Sequence, residues 1–304
     1  MRLVEWSYSR RNTFEQCLQK YYLDYYGSSQ RFAQNEQDKV LIRELKLRQN
    51  RYARTGELVH AMIASYFRSG EKGIVQSTRS MIEAACRILT DEINLSLRRA
   101  ECVSGSPGPG LIEFSNAPKQ ARDFYKEAEQ RMVVSLQNFG EHARYEKIRV
   151  VGRSGAADIE KRFKLQNFRC RVAGIIDFAS RSSGKAAIVD WKSGKPSQSE
   201  DDSLQLTAYA LWGAQRFGTA PQNVAIYKAF LGSGELIRFP LTETSVEKGK
   251  RRICQDVQRM IEMHEYGVIG RRKAFTPCAQ PKVCILCPYL TICHEGKESL
   301  HDRN

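Results

Sequence analysis

Two short segments hold the residues best suited to chemistry: Gly-Ile-Ile-Asp-Phe at 174–178 and Ile-Val-Asp-Trp-Lys-Ser-Gly at 188–194. In an extended strand successive side chains alternate faces, so Asp190 and Lys192 project to one side and Trp191 to the other. A neighbouring strand bearing Asp177 would bring two carboxylates and one ammonium to a single spot, the minimum set for metal-assisted hydrolysis of a phosphodiester. Oxygen ligands of this kind suit Mg²⁺ or Mn²⁺, which polarise a phosphoryl oxygen, lower the pKa of a bound water and screen charge. Beside such an ion, Lys192 is placed to orient or deprotonate the attacking water, or to stabilise developing negative charge. Spacing alone is a weak signal, because a surface strand with a solvated ion pair has the same pattern. The surroundings strengthen it. Ala186, Ala187, Ile188 and Val189 lead straight into Asp190, and a Ser-Gly turn follows Lys192; a buried strand that ends in charge marks a site more often than a solvated face does.

The elements that must position these residues are legible in outline. A helix is expected over 7–26, with Ser9 as a cap and Phe14, Cys17, Leu18, Tyr21, Tyr22 and Tyr25 at helical intervals. A basic, polar stretch at 31–54 precedes a second helix from Gly56 through Phe67, and a third is expected over about 75–100. The Gly-, Pro- and Ser-rich segment 103–119 reads as an exposed loop, and a helix at 119–138 follows. Strands are expected near 156–166, 170–180 and 186–192, then a helix at 201–217, a hairpin near 224–240 and a helix at 245–266. The order predicts an α/β fold: helices over 1–150, a catalytic core over 151–270, and a cysteine-bearing tail over 271–304.

On the helix after Lys192, Gln205 and Tyr209 sit four apart and share a face that can look onto the acidic site. Glu160, in a strand-like segment upstream of Asp177, is a candidate third acid, although alone it reads as a solvated strand residue. His60 lies on the apolar half of its helix, where a histidine is more often a hydrogen-bonded core residue than a ligand.

The chain of 304 residues has 41% hydrophobic and 27% charged residues, the balance of a soluble globular protein. A net charge of +14 favours a polyanionic partner, nucleic acid first among them. No apolar stretch is long enough to span a bilayer and the start lacks the apolar region of a secretory signal, so a cytoplasmic location is expected.

Nine cysteines in such a compartment point to ligation wherever they group. Cys86, Cys102, Cys170, Cys254 and Cys278 have surroundings consistent with packing. Cys284, Cys287 and Cys293, with two and then five residues between them, call for a metal. Cys278 would close a local tetrahedral zinc site; Cys17 would instead complete a 4Fe–4S cluster that ties the two ends of the chain. Spacing leaves both open.

Taken in order, the GIIDF, IVDWKSGK and QLTAYA segments resemble the core of the PD-(D/E)XK nuclease superfamily, in its RecB-like branch. Cys17 joined to Cys284, Cys287 and Cys293 is similar to the iron–sulfur variants of AddB-type nuclease domains and CRISPR adaptation nucleases, and GELVH at 56–60 resembles their histidine motif. The resemblance implies a restriction-endonuclease-like mixed sheet flanked by helices, one integrated domain closed by the cluster. It further implies His60, Asp177 and Asp190 as ligands of Mg²⁺ or Mn²⁺, Glu160 as an added acid, and Lys192 as the catalytic lysine. Gln205 and Tyr209 become accessory residues, and Cys17, Cys284, Cys287 and Cys293 the 4Fe–4S ligands. The expected activity is hydrolysis of DNA phosphodiesters, exonucleolytic on single-stranded ends, in repair, defence or mobile-element processing. Arg10, Arg11, Lys250, Arg251, Arg252, Arg271, Arg272 and Lys273 would then flank a groove for the strand. With no GxxxxGK[ST] segment, unwinding would need a separate motor. The alternative is a non-catalytic nucleic-acid-binding or scaffold subunit with a structural zinc or iron–sulfur site.

Overall fold

The computed structural model describes residues 4–29, 35–101, 110–165, 170–182, 184–194 and 202–301. Cys102 and residues 103–109 of the Gly/Pro-rich segment lie outside the described residues. The chain divides into two compact units: 1–8, 55–86 and 129–257 form the first, and 9–54, 87–128 and 258–304 the second.

The first unit holds a six-stranded mixed sheet: β1 (Glu5–Trp6), β2 (Ala157–Leu165), β3 (Arg171–Ser182), β4 (Lys185–Lys192), β5 (Ala225–Phe230) and β6 (Glu235–Phe239). β3 pairs antiparallel with β2 and β4 and parallel with β1; β4 runs parallel to β5, and β5 antiparallel to β6. Gly174 of the first motif serves a close approach, because a Cβ there would lie 2.7 Å from the Phe163 ring of β2.

Among the described residues, twelve α-helices accompany the strands. They are α1 (Tyr8–Gln16), α2 (Leu18–Tyr22), α3 (Glu36–Lys46), α4 (Arg51–Glu71), α5 (Thr78–Glu101), α6 (Glu113–Asn116), α7 (Ala121–Glu141) and α8 (Glu146–Arg153). The remainder are α9 (Asp202–Phe217), α10 (Glu243–Val268), α11 (Pro281–Cys284) and α12 (His294–His301). α9 packs on β2 to β5 and sets Trp212 6.1 Å from Phe163. Phe67 of α4 meets Phe178 of β3 at 5.5 Å, while Phe139 of α7 meets Trp191 of β4 edge-on at 5.6 Å. Trp191 is only 2% exposed; losing a buried aromatic of this kind costs about 3–5 kcal/mol. Its burial fixes which way the strand faces, and by alternation sends Asp190 and Lys192 to the opposite side.

The second unit is built around aromatic residues. Tyr21, Tyr22, Tyr26 and Phe275 are buried together, with Phe275 centred 5.1 Å from Tyr22 and 6.0 Å from Tyr26. Buried in this way, the tyrosine-rich segment serves packing. Tyr25 instead lies beneath the Arg10 guanidinium at 4.2 Å.

Three sequence expectations change. The helix over 7–26 breaks at Cys17, whose extended backbone (φ −162°) lets its sulfur accept from the Lys20 N–H and cap α2. The polar stretch at 31–54 contains α3, capped by Asn35. Leu111, Ile112, Glu113 and Phe114, within the expected exposed loop, are buried: Glu113 takes Arg51 at 3.0 Å and the Tyr125 hydroxyl at 2.7 Å, a satisfied ion pair with no sequence signature.

Candidate active site

The β3–β4 register, with Phe178 opposite Val189, places Asp177 and Asp190 one step further along. There the Trp191 N–H donates to Asp177 Oδ2 at 2.8 Å, a side chain standing in for a ladder bond. Asp177 Oδ1 is left facing His60 Nδ1 at 3.5 Å, and Glu160 Oε1 lies 3.7 Å from the same nitrogen. His60 is aimed by its other nitrogen, 3.1 Å from the Trp191 carbonyl. Ligand atoms of His60, Glu160 and Asp177 all lie within 4.8 Å of one another, a set that could hold a metal ion. Glu160 reaches the group through a left-handed backbone (φ 48°), a conformation costing about 1–3 kcal/mol in a residue other than glycine.

Asp190, 3% exposed, forms the second half of the arrangement. Its Oδ2 pairs with Lys192 Nζ at 2.7 Å, while Oδ1 accepts from the Tyr209 hydroxyl at 3.2 Å and Gln205 Nε2 at 3.4 Å. Gln205 also donates to the Tyr209 oxygen at 2.8 Å and accepts from Lys192 at 3.1 Å. Gln205 and Tyr209 thus clamp the strand residues from one face of α9.

Charge and burial act together here. Burial raises the Asp190 carboxyl above its usual range; Lys192 works against that and Asp177 adds to it. Burial also pushes the Tyr209 phenol well up, with Asp190 beside it, so it stays a neutral donor. Burial opposes a charged His60, yet hydrogen bonds and charge from Asp177, then Glu160, raise it to about 10. A group that holds a proton this firmly between two carboxylates is holding it where a cation fits. Asp190 Oδ2, buried without a hydrogen bond beyond its ion pair, offers a further lone pair.

The second unit holds a separate cluster of thiols. Cys17, Cys278, Cys284, Cys287 and Cys293 line one cavity together with apolar Leu23, Val283 and Leu290. Burial raises the Cys287 thiol to about 12, and raises Cys17 and Cys293 as well. Cys17 and Cys278 lie close enough to influence each other's thiols. Cys293 donates to Gln19 Oε1 at 3.2 Å. The donor set is sulfur in an apolar wall, which fits a soft metal or iron–sulfur group. The central space is about 20 Å³, so the sulfurs would have to spread to admit one.

The model of the PD-(D/E)XK nuclease superfamily matches residues 5–294. The chain belongs to this superfamily. No curated protein matches it. Superfamily membership implies a nuclease, and its members generally use divalent metals. The mixed sheet flanked by helices is the restriction-endonuclease-like fold of the superfamily. Among the described residues no helix is long and apolar enough to cross a membrane.

All seven residues named for the acidic site fall in this one region: His60, Glu160 and Asp177 as one group, and Asp190, Lys192, Gln205 and Tyr209 as the network joined to it through the Trp191 backbone. Cys278, classed with the packing cysteines, lines the thiol cavity, whereas Cys254, classed with them too, is exposed. Gln19 was missed, since a glutamine on a helix carries no signal of its own. The basic residues named for a groove mostly have other partners. Arg11 is buried, Arg10 bonds the Tyr21 hydroxyl, Lys250 pairs with Glu247 and Arg252 with Asp256.

Proposed function

We propose that the chain is a Mg²⁺- or Mn²⁺-dependent deoxyribonuclease that degrades single-stranded ends, and that it belongs to the RecB-like, iron–sulfur-bearing branch of its superfamily. The observation that carries the reading is the convergence of His60, Glu160 and Asp177 beside the Asp190–Lys192 pair. In this reading His60, Glu160, Asp177 and Asp190 hold the cation, which when bound supplies positive charge to the phosphoryl group and acidity to a water. Lys192 is 30% exposed on its side chain, so its ammonium reaches both the buried Asp190 and solvent. It orients the incoming water and takes up negative charge as the scissile phosphate becomes pentacoordinate. Gln205 and Tyr209 keep Asp190 and Lys192 in place, and the neutral Tyr209 hydroxyl adds a donor rather than another charge. The buried strand behind Asp190 keeps bulk water from that side of the site, which strengthens each of these electrostatic contacts.

Cys17, Cys284, Cys287 and Cys293 are the proposed ligands of a 4Fe–4S cluster that stabilises the second unit, with Cys278 as the thiol a zinc site would use instead. The biological setting we infer is DNA end processing with a separate motor protein supplying any unwinding.

The test incubates end-labelled single-stranded DNA with Mg²⁺ or Mn²⁺ and compares the wild type with Asp190→Ala and Lys192→Ala. The wild type should leave a ladder whose direction gives polarity, and both variants should leave the strand intact. Equal degradation by all three, or by none, would overturn the nuclease reading, the latter in favour of a scaffold subunit. Anaerobically purified protein should be brown and bleached by Cys17→Ala; colourless protein with one equivalent of zinc, indifferent to Cys17→Ala, would show a zinc site.

A further inference from the structure

The second unit carries an open cavity of about 1020 Å³, lined in part by Tyr266, Arg271, Arg272, Lys273 and Gln19. We propose that this cavity binds the phosphodiester backbone of a single-stranded nucleic acid, holding substrate at a place other than the acidic site. The proposal rests on the nuclease reading for the identity of its ligand.

Local sequence builds the cavity wall. α10 ends in a turn in which the Arg271 N–H reaches back to the Tyr266 carbonyl at 2.9 Å and Gly270 adopts a left-handed backbone (φ +72°). That turn delivers three cations in succession, and the buried Phe275 behind them pins the segment against Tyr22 and Tyr26. Arg272 is fixed in the wall by donating to the Ile292 carbonyl at 3.2 Å. Arg271 and Lys273 are exposed and, among the described residues, form no ion pair. Other arginines of the unit are already committed: Arg51 to Glu113, Arg54 to Glu92 and Arg259 to Glu15.

A basic residue after a helix commonly answers the negative end of its dipole. Here the turn itself satisfies terminal carbonyls, and three cations exceed what is left. Among the described residues Glu295 is the one acid on the rim, so the lining is net positive. The volume lies at the upper limit of small-ligand pockets, about 300–1,000 Å³, and suits a chain of linked phosphates. Tyr266, 41% exposed, adds a face on which a base can stack. Gln19 and Pro277 line both this cavity and the thiol cavity, and Gln19 accepts from Cys293, so the two share a wall.

The test uses the full-length Asp190→Ala chain in chelator, titrated into fluorescein-labelled oligothymidylate and followed by anisotropy over a range of salt. Arg271→Ala with Lys273→Ala should weaken binding about tenfold at physiological salt and lower the slope of log affinity against log salt by about 1.4, two phosphate contacts at about 0.7 each. Lys72→Ala with Lys147→Ala removes the same charge from exposed positions of the first unit, and circular dichroism confirms folding of both doubles. An unchanged slope, an equal fall in the two doubles, or no binding by the parent overturns the site. Tyr266→Ala should weaken binding about tenfold with the slope kept; unchanged affinity overturns the stacking contact. Wild type with Mn²⁺ on the same oligonucleotide separates the two readings. Cleavage with an unchanged slope in the Arg271/Lys273 double sinks the cavity alone, and a lowered slope without cleavage sinks the nuclease alone.

Discussion

The acidic site and the thiol cluster are both gatherings of candidate metal ligands, yet their donors are employed in opposite ways. Around Asp190 most of the polar groups already have a protein partner: Lys192, Tyr209 and Gln205 surround it, and Asp177 holds the Trp191 N–H. A cation arriving there competes with an ammonium and with the proton on His60, so its binding is reversible and adjustable. In the thiol cavity the sulfurs have weak partners, among them Gln19 and one another, and burial keeps several of them protonated. A group bound by such sulfurs becomes part of the fold. In the proposed reading the first site would exchange its ion and the second would keep it, a distinction that follows from what else each donor can bond.

The sharpest break of that comparison is at Asp190. Asp190→Asn keeps the shape and the Tyr209 contact but removes the charge that Lys192 faces. Cleavage should fall by at least about 100-fold, with the melting temperature close to wild type. Loss of folding along with activity would make Asp190 structural and erase the contrast. Next in size is the thiol site. Cys287→Ala should abolish visible absorbance and destabilise the protein by several kcal/mol, since binding energy in such sites is folding energy, while Cys254→Ala, at an exposed position, should change neither. Brief treatment with a chelator of divalent ions should stop cleavage by the wild type reversibly and leave the colour. Colour lost together with activity would show that the two sites hold their metals alike.

The acidic half of this comparison was legible in sequence and the thiol half only partly. Strands around Asp177 and Asp190 announce themselves by apolar runs that end in charge, and Gln205 and Tyr209 by their spacing of four on a helix. Both are local patterns with a fixed period, and α9 and β4 appear where those periods place them. Cys17 shows the limit of such reading. Helical spacing ran straight through it, but its sulfur takes the Lys20 N–H and starts a new helix, a choice that depends on where that sulfur must point. Cys278 sits near the other cysteines in sequence, and it lines one cavity with Cys17 from the other end of the chain. Glu160 looked like any solvated strand residue, because nothing in the letters marks a left-handed glutamate.

Protonation offers a finer test. In metal-free protein His60 is raised from an ordinary 6.5 to about 10 by Asp177 and Glu160. A raised pKa contributes stability that is fully present below the unfolded value of 6.5 and is lost as pH climbs through about 10. Chelator-treated wild type should therefore lose stability across that window, and Asp177→Asn should lose less, as followed by urea unfolding at several pH values. With Mn²⁺ added the direction reverses, because the cation displaces the proton and binds more tightly as pH rises. Parallel curves for wild type and variant would mean that His60 and Asp177 are not coupled.

Among the described residues the left-handed backbone occurs outside glycine at two places, Glu160 in the acidic site and Ala279 beside Cys278, each with φ 48°. Strain of this kind persists where surrounding structure over-determines it, and the two sites should respond differently to its release. Glycine takes the left-handed conformation freely but gives up more entropy on folding, about 0.5–1 kcal/mol relative to alanine, against roughly 1–2 kcal/mol of relieved strain. Ala279→Gly should thus stabilise the protein by about 0.5–1 kcal/mol in denaturant unfolding and leave the visible spectrum intact. Glu160→Gly gains the same backbone relief, yet it also removes a carboxylate from His60, so the pH dependence of stability should flatten and Mn²⁺ affinity should fall. If Ala279→Gly destabilises the protein, the alanine methyl is packed and the left-handed turn is not strained. If Glu160→Gly leaves Mn²⁺ affinity unchanged, the glutamate stands outside the cation site, and the two left-handed residues have no common purpose.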